Sequence, residues 1–164
     1  MGIVNYTYNR STSGGEIITH LINGTDGQGL HFDGAAGNID IPTVPDLGTK
    51  FSFEFIAQKD NTAESYLVDF YTGGRFIVGQ ESGDANLKIY DNTSWKTFGV
   101  APLDDLKVHH LVVTIDGTAA ILYDNGNQVG TVTIGSSHAI DSCTDAMFPS
   151  TVFAGTFYRT RFFN

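Results

Sequence analysis

Residues Lys107–Ile134 read KVHHLVVTIDGTAAILYDNGNQVGTVTI, three strand-forming runs separated by two turn signals. Val108–Ile115 is dense in β-branched residues, which fit a pleated surface. Asp116-Gly117 supplies a dipeptide suited to a type I′ turn, whose two central residues both sit at φ > 0. Ala119–Tyr123 then runs into Asp124-Asn125-Gly126-Asn127, a second hairpin signal, and Gln128–Ile134 follows. The spacing predicts an antiparallel meander whose register is set by turn chemistry.

The same reading extends outward. Phe51, Phe53 and Phe55 alternate with Ser52, Glu54 and Ile56, a period of two with one strongly apolar face. Ser65–Tyr71 and Arg75–Gln80 are strands joined at Thr72-Gly73-Gly74. Asn86–Asp91 and Ser94–Val100 form another hairpin around Asp91-Asn92-Thr93. Ala101–Asp105 breaks the pattern with room for one helical turn. Leu30 and Phe32, then Ile39 and Ile41, mark two strands split by Gly34-Ala35-Ala36-Gly37, and Pro42 and Pro45 end the second. Glu16–Ile22 reads as a short first strand. Gly135–Ser150 shows no period and reads as one long irregular loop, of the kind that is functional or mobile in compact domains. Thr151–Phe163 closes the sheet. About a dozen short strands with regular turns predict an all-β sandwich. The polar residues 1–15 read as an N-terminal arm, with Tyr6 and Tyr8 as assembly contacts, and residues 16–164 as one domain.

Family features appear on these residues. The strand with His109-His110, followed by TIDG and ILYDNGNQVG, resembles the late part of laminin G-like domains, a branch of the concanavalin A-like jelly rolls. Gly29–Pro42 (GLHFDGAAGNIDIP) resembles that family's early FDG segment. Lys50–Ala57 resembles its next strand, and Phe153–Asn164 its closing strand. The resemblance runs from Gly29 to Asn164 in family order. It implies a two-sheet antiparallel sandwich with jelly-roll connectivity. It leaves function open, because the fold hosts lectins, adhesion modules and glycosidases.

Composition excludes several classes. Lys and Arg number 9 against 18 Asp and Glu, a formal net charge of −9. Phosphate backbones require a basic surface, so the charge argues against a nucleic-acid partner, and anionic lipid is a poor match. No apolar run approaches membrane-spanning length, so no membrane insertion is expected. Cys143 is the single cysteine, so no intrachain disulfide forms. The first fifteen residues hold no apolar stretch of the kind a secretory signal needs.

Catalytic chemistry finds little support. Glycosidases of the resembled fold carry three acids on one strand face, Glu-x-Asp-x-x-Glu, and no such strand exists here. Glu64 and Asp69 are five apart and would face opposite ways on a regular strand. Glu54 reads as a solvated residue pointing away from Phe53 and Phe55. No G-x-S-x-G elbow is present. Neighbouring strand residues point to opposite faces, so His109 and His110 cannot share a metal ion.

Calcium is implied by the resemblance alone. Asp33, Asn38 and Asp40 match the family's corner by position, although its paired acids are here Gly37-Asn38. Glycan binding uses aromatic platforms with polar groups around them. Trp95, the single tryptophan, reads as core if buried and as a sugar platform if exposed, and core is the commoner fate. Tyr66, Tyr71, Tyr90 and Tyr123 lie near strand ends, where rim loops cluster. Arg75 follows Gly73-Gly74 and is a candidate clamp for a carboxylate or sugar. The ligand set is thus Trp95, Tyr90, Tyr71 and Arg75.

The functional expectation is a non-catalytic binding or adhesion module on a phage surface, as capsid decoration or tail-fibre domain. Its partners would be glycans or virion proteins, with homo-oligomers as a further expectation. The alternative is a carbohydrate-binding lectin domain of a larger secreted or cell-surface bacterial protein. A polysaccharide-degrading enzyme is the third class.

Overall fold

The computed structural model describes residues 29–34, 39–41, 47–71, 73–135, 143, 145–149 and 152–163. The arm with Tyr6 and Tyr8 and the strand expected at Glu16–Ile22 lie outside these residues. Among the described residues twelve strands form two antiparallel sheets of six.

The first sheet runs β1 (Leu30–Asp33), β12 (Ala154–Phe163), β3 (Lys50–Lys59), β8 (His109–Asp116), β9 (Ala119–Asp124), β10 (Asn127–Thr133). The second runs β2 (Ile39–Ile41), β11 (Asp145–Phe148), β4 (Ser65–Tyr71), β5 (Phe76–Gln80), β6 (Lys88–Tyr90), β7 (Trp95–Thr97). A 3-10 turn, Pro102–Asp105, bridges the second sheet to β8, as expected of the Ala101–Asp105 break. β1 lies in the first sheet and β2 in the second, so consecutive strands belong to opposite sheets there.

The period of two explains the core. Phe51, Phe53 and Phe55 of β3 all point into the sandwich and are at most 3 % exposed. The Phe53 ring lies 5.4 Å from Phe162, 5.6 Å from Phe70 and 6.1 Å from Phe76, so one side chain ties both sheets together. Burying each such side chain stabilises by roughly 1.5–3 kcal/mol.

The meander forms, with one change at its first turn. Asp116 pairs with Ala119, so the two loop residues are Gly117 and Thr118, and of these only Gly117 (φ 59°) has positive φ. That is the pattern of a type II′ turn, not I′, because Thr118 carries a branched Cβ that disfavours positive φ. The second turn is as read: Asn125 (φ 49°) and Gly126 (φ 82°) both adopt it.

Two further expectations change. The stretch Gly135–Ser150 is not loop throughout, because β11 lies within it and joins β2 to β4. Ala146 and Phe148 are fully buried while Met147 between them is half-buried; three apolar residues in a row hide the alternation. The expected strands 86–91 and 94–100 shorten to Lys88–Tyr90 and Trp95–Thr97. The hairpin is nonetheless closed by backbone bonds from Leu87 N to Val100 O (2.8 Å) and Phe98 N to Leu87 O (3.0 Å).

Candidate functional site: an aromatic cluster on the outer face of the second sheet

Phe70, Phe76, Val78 and Ile89 of the second sheet belong to the core. Their strand neighbours therefore point out of the sandwich. Register places Asp69, Ile77, Tyr90 and Trp95 in one row across β4, β5, β6 and β7. Tyr66 pairs with Gly79, two residues from Ile77, and so lies on the same face. In a regular strand Tyr66 and Asp69, three apart, would point to opposite sides. A bulge between Tyr66 and Val68 adds one residue and brings both outward.

Three rings meet there. Trp95 lies 5.8 Å from Tyr66 and 5.4 Å from Tyr90, centroid to centroid, and all three are half-buried. Gly79 makes room beneath Tyr66. A Cβ at that position would come within 2.8 Å of Tyr66 Cα, and closer still to the Ser65 carbonyl.

Polar groups surround the rings. Arg75 donates to both carboxylate oxygens of Asp69, from Nε at 3.2 Å and from Nη2 at 2.8 Å. Asp69 is 2 % exposed, whereas Arg75 is about half exposed and keeps three of its five N–H donors. The Asp69 hydrogen bond holds the guanidinium above its ordinary pKa. Arg75 N also donates to Asn92 Oδ1 in the β6–β7 turn at 3.0 Å. The Tyr66 hydroxyl donates to Glu64. Burial raises the Tyr66 phenol pKa, and the Glu64 bond raises it further. Lys88 reaches Glu81 (2.8 Å) and Asp84 (2.7 Å), and that contact pulls Asp84 down to about 2.

Asp91 holds the platform's turn in place. It is fully buried. Its Oδ1 accepts from Thr93 N (3.2 Å), Thr93 Oγ1 (2.5 Å) and Ser94 N (3.1 Å), and its Oδ2 accepts from Gly135 N (2.8 Å). Burial would raise its pKa, but these donors outweigh it and bring the carboxyl to about 2. Because Gly135 follows β10, the side chain ties the hairpin bearing Trp95 to the first sheet.

The expected ligand residues land as follows. Trp95 is not core, as its commoner fate suggested; its row places it on the outer face. Tyr90 contacts it, and Arg75 reaches the group through Asp69. Tyr71 lies two residues past Asp69 on that face, at the far end of β4, opposite Asp145. Tyr66 is the site residue that strand patterning undervalued, since only the bulge turns it toward Trp95. Tyr123 pairs with Val112 on the first sheet, away from this face.

The acids scatter. Glu54 is not the solvated residue expected. It is 8 % exposed on the outer face of the first sheet, where His110 Nε2 (2.9 Å), Arg161 Nε (3.4 Å) and Arg159 Nη1 (4.0 Å) crowd it. The bulge between Phe157 and Arg159 aims both arginines at it, which the regular period hides. Glu64 and Glu81 flank the paired Ser65 and Gln80 on the second sheet, each committed to the partner given above.

His109 and His110 do diverge. His109 is 8 % exposed between Asp124 (2.8 Å from Nδ1) and Asp105 (2.9 Å from Nε2). Among the described residues no three His, Cys, Asp or Glu side chains converge as a metal site. Asp33 sits on edge strand β1 and Asp40 on edge strand β2, in different sheets. Asn38 lies outside the described residues. A calcium ion needs six to eight oxygens, more than Asp33 and Asp40 on separate sheets supply.

No curated protein matches the chain. Solved structures share its fold at low identity. A CBM40 from the Ruminococcus gnavus IT-sialidase, bound to α2,3 sialyllactose, aligns with TM-score 0.64 and 12% identity over 83% of this chain and 89% of that one. Domain 4 of AbnA, a GH43 extracellular arabinanase from Geobacillus stearothermophilus in complex with arabinotriose, aligns with TM-score 0.64 and 15% identity over 99% and 82%. The galectin LEC-6 from Caenorhabditis elegans gives TM-score 0.51 and 12% identity over 80% and 93%. Residues 33–163 match the family model of the laminin G type described as the concanavalin A-like lectin/glucanases superfamily, and with most of its length inside that match the chain belongs to that family.

Proposed function

We propose that this domain is a non-catalytic glycan-binding module whose ligand packs on Tyr66, Tyr90 and Trp95. The observation that carries this reading is the contact of three aromatic rings on a sheet face turned away from the core. Such rings offer an apolar surface to the C–H faces of a sugar, and aromatic anchors dominate many binding interfaces. The free donors of Arg75 and the polar rim supply orientation. Proteins of similar structure support this reading: a carbohydrate-binding module, an arabinanase domain holding arabinotriose, and a galectin. Glu54 lies on the other sheet, and Glu64 and Glu81 are each held by a neighbouring side chain, which supports a binding role over hydrolysis by two carboxylates across one bond. An extracellular or surface setting follows from a glycan ligand. Attachment to a virion through Tyr6 and Tyr8 has no support among the described residues.

The test is a glycan array probed with the wild type and with Trp95→Ala. Binding by the wild type that falls at least tenfold in the variant supports the reading. Binding unchanged by Trp95→Ala would place the ligand elsewhere, and an array with no bound glycan would refute the function.

A further inference from the structure

We infer that the Trp95 face takes an uncharged saccharide and disfavours sugars bearing a carboxylate or sulfate. This rests on the glycan-binding reading above and names the class of ligand. An arginine beside aromatic rings is the usual signal for an anionic ligand, because its planar fork matches a carboxylate. Here one edge of the fork is already occupied, and its charge is offset by the carboxylate it holds. Both Nε and Nη2 of Arg75 are spent on Asp69, which is 2 % exposed and therefore has no water to replace a lost partner. Releasing Arg75 for a ligand carboxylate would leave that buried charge unpaired, which is strongly unfavourable.

The remaining cations are also engaged. Lys88 lies between Glu81 and Asp84, and Lys96 donates to Ser94 Oγ (2.8 Å) beside Asp91. Glu64 adds a carboxylate on the Tyr66 hydroxyl. From Glu64 to Thr97, the segment that builds the site, five acids stand against three bases. An anionic sugar docking on the rings meets a net negative field, and among the described residues each cation of this segment already faces an acid. A neutral sugar meets three aromatic faces, the outer donors of Arg75 and hydroxyl-accepting carboxylates.

Two net charges at roughly 8 Å in water-like dielectric correspond to a discrimination of roughly three- to tenfold, weakened by salt.

The experiment compares neutral oligosaccharides on an array with their sialylated and uronic-acid counterparts, using the wild type, Trp95→Ala, Asp69→Asn and Glu64→Gln. The expected result is binding of neutral members that depends on Trp95, with acidic counterparts about three- to tenfold weaker at 50 mM salt and the gap narrowing at 1 M. Asp69→Asn frees the Arg75 fork and should shift preference toward acidic members. If that variant fails to fold, Glu64→Gln removes one charge without touching the buried pair and should narrow the gap by itself. Acidic members bound as well as or better than neutral ones, through Trp95, would overturn this inference while leaving glycan binding intact. No glycan bound at all would instead remove the function on which it rests.

Discussion

Lys59 should make the domain more stable as the solution turns alkaline, and Lys59→Met should abolish that gain. Lys59 ends β3 and is 1 % exposed between the sheets. Its ammonium donates to Ala63 O at 2.6 Å and to the Gln80 side-chain carbonyl, which also accepts from Ser65 Oγ at 3.0 Å. Among the described residues no carboxylate bonds it. Burial lowers its pKa from 10.5 to about 8, and Asp104 offsets only part of that. In the unfolded chain it titrates near its ordinary value. At pH 7 both states are protonated and the native state carries the full cost of a buried charge. Between pH 8 and 10.5 the native state releases the proton while the unfolded state keeps it, so stability rises with pH. The shift corresponds to about 3 kcal/mol at most. Lys59→Met retains most of the stem's volume and leaves the Ser65–Gln80 bond in place. Urea denaturation of both proteins at pH 7, 8, 9 and 10 isolates the effect. Groups common to both, including Tyr66 and the Cys143 thiol that burial raises to about 11, cancel in the difference. Wild type minus variant should climb toward roughly 3 kcal/mol across that range. A flat difference would show that the ammonium is hydrated or paired, and the reasoning would fall.

Other consequences are as direct. Trp95→Ala should change folding stability by about 1 kcal/mol or less, because the ring lies on the outer face, whereas Phe53→Ala should cost about 3–5 kcal/mol by opening the core; urea melts separate the two. Gly79→Ala should displace Tyr66 and shift the emission of Trp95, since the added methyl meets backbone and ring together; an unchanged spectrum would argue against the cluster. His109 should titrate above 6.5 in an NMR series, because the carboxylates of Asp124 and Asp105 outweigh the opposing effect of burial. Its contribution to stability is then complete below 6.5 and lost as pH rises through the raised value, and His109→Gln should remove that slope. Asp91→Ala should cost about 2–4 kcal/mol through the backbone donors left unsatisfied, with the loss read by thermal melts.

Much of the architecture is written locally. The alternation of Phe51, Phe53 and Phe55 states which face of β3 is inside, and Asn125-Gly126 permits only a tight reversal, so the meander and the sandwich class follow from nearest neighbours along the chain. Local signals also separate His109 from His110. They fail where a strand departs from its period or where a partner comes from far away. The bulge at Leu67 turns Tyr66 onto the face of Asp69. The bulge in β12 aims Arg159 and Arg161 at Glu54, some hundred positions earlier. β11 was hidden because its pairing with β2 and β4, not its composition, makes it a strand.

From sequence alone come the all-β sandwich, its phenylalanine core, its acidic surface and a short set of aromatic and arginine candidates. Tertiary structure decided which of them act together. Periodicity tells a residue which side of its own strand it occupies, but the meeting of Tyr66, Tyr90 and Trp95, and the capture of Arg75 by Asp69, depend on the register between strands. That register arises from long-range pairing energies and single-residue bulges, which leave no periodic trace in the chain.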